Sequence, residues 1–153
     1  MEIETYPDVF KNPGEVPTSM LMAYGFLPLT PMVDLKTMRN TFHAVCDRNG
    51  ADSWVSWAMG KGAMTAARLG EPELAVDILA NSKTPAARFL NNGHIPRAKE
   101  PVTCPAYLPS NAALLSAVGL MTAGWDGAPP GNAPGFPANG KWKVRWEGLN
   151  PMP

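Results

Sequence analysis

The run from Ser53 to Gly70, SWVSWAMGKGAMTAARLG, decides the fold. Met59, Ala63, Ala66 and Ala67 recur at spacings of three and four, which places them on one face of a helix. Gly60, Gly62, Ala63, Ala66 and Ala67 are small enough for another backbone to approach closely, so the helix is expected to be pressed among other helices, with Gly70 stopping it. Trp54, Trp57 and Lys61 stand at its first turn. Two indoles and a cation beside a buried helix suit the wall of a pocket. Buried aromatic anchors of a core give the same pattern, and the run leaves both readings open.

Working outward, Thr18 stands where an N-cap would for Ser19 to Leu27, which is apolar nearly all round until Pro28 and Pro31. A helix apolar on every side is expected to be buried on every side. Asp34 is placed to cap a second helix, with Leu35, Met38, Phe42, Val45 and Cys46 on one face and Lys36, Arg39, Asn40 and Asp47 on the other. Asn49-Gly50 ends it. His43 falls at its apolar edge and reads as a packed, hydrogen-bonded histidine. Beyond Gly70, Glu71-Pro72 opens a helix with the stripe Leu74, Ala75, Ile78 and Leu79, and the short connection predicts an antiparallel hairpin with the Trp-rich helix. Ser110 is placed to cap Asn111 to Ala123, apolar on all sides, and Gly124 ends it.

The remainder is loop. Of 153 residues, 17 are proline and 14 are glycine, about a fifth of the chain. Residues 1–17 read as an extended lead-in, and residues 82–110 lose their periodicity to Pro85, Pro96, Pro101, Pro105 and Pro109. That loop gathers Arg88, Asn91, Asn92, His94, Arg97, Lys99, Glu100 and Tyr107, and long ordered loops commonly build sites. Residues 141–147, KWKVRWE, alternate charged and apolar residues with the period of a half-buried strand or extended arm. The expected architecture is all-α: one domain spanning 1–153, its helical core at 18–123 and a Pro/Gly-rich tail with a short extended arm at 124–153.

Composition removes several functions. The formal net charge is zero, without the basic run that marks a nucleic-acid surface. No apolar stretch reaches membrane-spanning length, and Met1-Glu2-Ile3-Glu4 does not open like a signal peptide, so a cytoplasmic protein is expected. Cys46 and Cys104 are expected as free thiols. His43 and His94 lie far apart with no ligand-spaced partner, so neither a metal nor a cofactor is expected.

Taken in order, Gly25-Phe26-Leu27-Pro28, the Trp54 to Gly70 run with its Ala67-Arg68-Leu69-Gly70 ending, Asn92-Gly93-His94, Tyr107-Leu108-Pro109-Ser110-Asn111 and Ala123-Gly124-Trp125-Asp126-Gly127 form a sequence of signals. Together they resemble the C-terminal part of the six-hairpin glycosidases, (α/α)6 toroids of which glycoside hydrolase families 65 and 95 are members. The resemblance implies helical hairpins from an incomplete toroid and a carbohydrate-active ancestry. Similar glycosidases often carry an aspartate shortly after the second tryptophan, where this chain has Trp57-Ala58-Met59, and another before the Asn-led helix, where it has Leu108-Pro109. Their general-acid glutamate lies upstream of the region matched.

Glycoside hydrolysis needs two carboxyl groups ~5 to ~10 Å apart. Asp34 and Glu71 are accounted for as helix starts, and Asp47 and Asp77 as solvated faces. Asp52, Glu100, Asp126 and Glu147 remain, and no motif pairs them. What stands out is a pocket of Trp54, Trp57, Met59, Asn92 and Asn111 as substrate-binding residues, with His94, Lys61, Tyr107 and Arg97 as catalytic candidates. Stacking on the indoles, polarisation of a carbonyl by Lys61, Arg97 or Tyr107, and proton transfer through His94 suit a cofactor-free cyclase or isomerase of biosynthesis acting on an apolar or oxygenated metabolite. The alternatives are a hydrolase fragment or carbohydrate-binding protein, and a non-catalytic ligand-binding module. Helices this apolar also predict self-association, most simply a homodimer.

Overall fold

The computed structural model describes residues 4–6, 18–49, 54, 56–80, 89–93 and 106–153. A short 3-10 turn, Ser19–Leu21, leads into α1 (Met22–Gly25), followed by α2 (Leu35–Asn49), α3 (Ala58–Arg68), α4 (Pro72–Ala80) and α5 (Leu108–Ala123). The chain is all-α, with no strand among the described residues; one isolated parallel bridge joins Trp125 to Met152.

α3 is the axis of the structure. Every residue from Ala58 to Arg68 is buried, and the helix packs mainly against α4, α5 and α1. Its glycines set the packing distances. A methyl on Gly60 would lie 2.3 Å from the Ala113 carbonyl oxygen of α5, and one on Gly62 would lie 2.4 Å from the Trp54 ring. The helices close on each other because nothing projects there. Thr65 spends its hydroxyl inside the core, 2.9 Å from the Lys61 carbonyl and 3.2 Å from that of Leu21, so a single proton serves both. Around this axis Leu21, Met38, Phe42, Met59, Met64, Leu120 and Met121 are sealed from solvent, each contributing on the order of 1.5–3 kcal/mol by burial.

α2 forms as its sequence predicts. Asp34 Oδ1 accepts the Thr37 amide at 2.7 Å, satisfying one of the open donors at a helix start, and Met38, Phe42 and Val45 are buried. Leu35 departs from the expected face and is exposed. The α3–α4 connection is tied to α2 from outside: Arg39 Nη1 donates to Glu71 Oε1 at 2.5 Å, its Nη2 donates to the Leu69 carbonyl at 2.6 Å, and His43 Nε2 lies 3.0 Å from the same Glu71 oxygen. His43 is thus hydrogen-bonded as expected but half exposed. Glu71 works as an ion-pair partner as well as at a helix start.

Several elements differ from expectation. The first apolar helix is short and one-sided: Leu21 and Tyr24 are buried while Met22, Phe26 and Leu27 are exposed, and the amides of Phe26 and Leu27 both turn back to the Met22 carbonyl. Thr18 makes no side-chain cap. α5 begins three residues early, at Leu108, with Pro109 in its first turn, where a missing N–H costs nothing. Ser110 is therefore inside the helix, buried, and its Oγ lies 2.8 Å from Ser56 Oγ. α5 also has a solvent side, carrying Leu108, Leu115 and Val118. Residues 141–147 make no strand. Asn132 replaces the expected ladder, donating to the Val144 carbonyl at 2.9 Å and accepting from the Trp146 indole at 3.2 Å.

Candidate functional site

The first turn of α3 meets the first turn of α5 and the turn at 89–93. Their junction is fixed by the Ser56–Ser110 hydroxyl pair and by Asn111 Nδ2, which donates to the Gly93 carbonyl at 2.7 Å. Ser56 takes a left-handed backbone, φ 55°, rare for a residue with a side chain, and so turns the chain sharply between Trp54 and Trp57. The two indoles part company there. Trp54 enters the core, 6% exposed, its ring 5.8 Å from that of Phe42. Trp57 stays 49% exposed.

Lys61 follows one turn later and lies under Trp57. Its side chain is buried, only 5% exposed, and Nζ sits 4.5 Å from the centre of the Trp57 ring. Ammonium over an indole face is a favourable electrostatic contact. Burial nevertheless disfavours the charge and holds the Lys61 pKa below the usual lysine value. No carboxylate pairs with it among the described residues.

Of the residues singled out by sequence, Trp57, Lys61, Tyr107 and Asn111 share this corner. Tyr107 is partly buried and packs against the core just before α5. Asn92 is exposed on the adjoining turn. Trp54 and Met59 are core residues, Met59 at 1% exposure, so their surface is spent on packing. His94 and Arg97 lie outside the described residues, as do Asp52 and Glu100.

The far end of α3 holds a second buried cation that sequence reading passed over. Arg68 is 7% exposed. Its guanidinium carbon lies 5.9 Å from the Tyr24 ring centre and 6.0 Å from that of Trp125. Nη2 donates to a main-chain oxygen of Pro153 at 2.5 Å, while Nε is sealed from solvent without an acceptor among the described residues. Tyr24 donates its hydroxyl to the Arg68 carbonyl at 2.9 Å. Burial pushes the Tyr24 hydroxyl up and the Arg68 guanidinium down. The charge of Asp126 partly offsets the effect on Arg68. These groups border a cleft of about 490 Å³ whose other walls include Leu29, Leu35, Pro72 and Pro134. The sequence signals were the Ala67-Arg68-Leu69-Gly70 helix ending and Trp125-Asp126-Gly127 directly after a helix stop, and Arg68 and Trp125 lie 57 residues apart.

Comparison with protein-family models, curated proteins and solved structures returned no match. Among the described residues no group of three or more His, Cys, Asp or Glu side chains could hold a metal ion, and no helix is long and apolar enough to cross a membrane.

Proposed function

We propose that the chain is a small enzyme that binds an apolar or oxygenated metabolite against Trp57 and promotes its cyclisation or isomerisation, with Lys61 as the acid–base group. The carrying observation is the buried Lys61 ammonium 4.5 Å from the Trp57 ring centre, beside an indole that is half open to solvent. Burial holds the Lys61 pKa below the usual lysine value, which makes its ammonium a readier proton donor to a developing oxyanion. The open indole face offers the stacking surface. Tyr107 and Asn111 border the same corner, and the roles assigned to His94 and Arg97 belong to this proposal.

The scaffold is read as helical hairpins similar to part of an (α/α)6 toroid, and a carbohydrate-active protein is the second reading, favoured by the same exposed indole, since sugars stack on such faces. Lys61→Met separates them. Conversion of a polyketide-like or terpenoid carbonyl substrate should fall by ~10² or more, the usual contribution of one positioned acid–base group. Hydrolysis of an aryl glycoside that persists in Lys61→Met would overturn the first reading.

Self-association belongs to the same proposal. Leu108, Leu115 and Val118 leave an apolar stripe on α5, and a second copy is its expected cover. Sedimentation should show a dimer that Leu115→Glu converts to monomer; a monomeric parent at micromolar concentration would refute it.

A further inference from the structure

We propose that residues 141–149 form a docking arm for an anionic membrane surface, on which the chain lies without crossing it. Lys141, Lys143 and Arg145 are exposed, and none of them is ion-paired among the described residues. Between and beyond them stand Trp142, Trp146 and Leu149, which are 45%, 42% and 42% exposed. A bilayer containing anionic lipid matches both sets at once. The cations are drawn to its surface charge, and indoles settle at the headgroup level with their amphipathic rings. Apolar insertion and a basic patch make a peripheral anchor together, where either alone is marginal.

The arm is shaped before anything docks on it. Asn132 donates to the Val144 carbonyl at 2.9 Å and accepts from the Trp146 indole at 3.2 Å, and the Trp142 ring centre lies 5.4 Å from that of Phe136. With the backbone and both rings already placed, little conformational freedom is left to lose on docking. A single-stranded nucleic acid is the other polyanion that suits interleaved cations and aromatic rings, and it fits less well. Trp142 already has Phe136 as a ring neighbour, Trp146 spends its N–H on Asn132, and Leu149 offers a base nothing. A formal net charge of zero also leaves no wider positive field to hold a long polyanion. The arm uses none of the residues of the Lys61 corner and stands whether or not the reading of that corner holds.

The test sediments the intact chain with vesicles of phosphatidylcholine alone and with vesicles of three parts phosphatidylcholine to one of phosphatidylserine. Binding should require the anionic lipid and weaken as salt screens it. The triple variant Lys141→Gln, Lys143→Gln, Arg145→Gln, all at exposed positions, should bind about a hundredfold more weakly, roughly fivefold for each cation lost. Brominated lipid should quench the indole emission of the bound parent, and quench it much less in the double variant Trp142→Phe, Trp146→Phe, which keeps Trp54, Trp57 and Trp125 as reporters. Should the double variant fail to fold by circular dichroism, the triple variant decides. Equal binding to the two kinds of vesicle, or binding to neither, overturns the proposal. So does unaltered affinity in the triple variant, undiminished quenching in a folded double variant, or an oligothymidylate that strips the chain from the anionic vesicles.

Discussion

Lys61 places its Nζ 4.5 Å from the centre of the Trp57 ring while exposing only 5% of itself. Burial lowers its pKa, and the consequence for stability has a definite sign. Below the lowered value both the folded and unfolded chains carry the proton, and the full cost of burying the charge is present. Above the ordinary value of 10.5 neither does. Between the two the unfolded chain binds more protons, so stability rises with pH. Urea midpoints of the parent minus those of Lys61→Met should therefore climb as pH approaches 10.5 from below. A flat difference would mean that Lys61 is solvated.

The glycines of α3 and α5 should respond oppositely to one added methyl. Gly60→Ala meets the Ala113 carbonyl at 2.3 Å and Gly62→Ala the Trp54 ring at 2.4 Å, whereas Gly119 has nothing within 4 Å. Forcing backbone or a packed ring aside costs roughly 1–3 kcal/mol, so thermal denaturation of the first two should show lower Tm. Gly119→Ala should gain about 0.5–1 kcal/mol from reduced chain entropy. A stabilised Gly60→Ala would mean that α3 and α5 do not meet here.

Arg39 binds both Glu71 and the Leu69 carbonyl, so its loss removes more than the ion pair. Glu71→Gln should cost about 0.2–1 kcal/mol and lose that effect in high salt, as exposed pairs do. Arg39→Met should cost more and keep part of its effect in salt, because the Leu69 carbonyl after α3 also loses its donor. Equal, fully screened losses in chemical denaturation would contradict the second contact.

Cys46 should be chemically quiet. Burial, with the charges of Asp47 and Glu71 adding, pushes its thiol up to about 12, so at pH 8 only about one thiol in ten thousand is ionised. Peptide mapping after iodoacetamide should find Cys46 unmodified in the folded protein and labelled after urea. Rapid labelling of the native chain would place the thiol on the surface.

Local signals carried most of the helices into view. Asp34 ahead of the Met38, Phe42, Val45 stripe, and Pro72 after Gly70, act within one or two turns of chain, and the structure uses both. The small residues of α3 announced close approach, and Gly60 and Gly62 supply it. Reading failed where partners are distant. Trp54 and Trp57 look alike in sequence, but the left-handed Ser56 sends one inward and leaves the other out. Arg68 stands at a helix end, and its surroundings come from far along the chain: Tyr24, Trp125 and the tail that returns through the Trp125–Met152 bridge to Pro153. Residues 141–147 alternate like a strand, yet side-chain bonds from Asn132 hold them, a substitution that periodicity cannot register. Pro109 looked like a breaker and is a starter.

A helix enclosed over its whole length cannot slide or turn without unpacking its surroundings. Lys61 and Arg68 stand seven residues apart on it, close to two full turns, which spaces their backbones about 10 Å apart on nearly the same side. The two cations are thus mounted on a rigid ruler whose length the packing of α3 fixes.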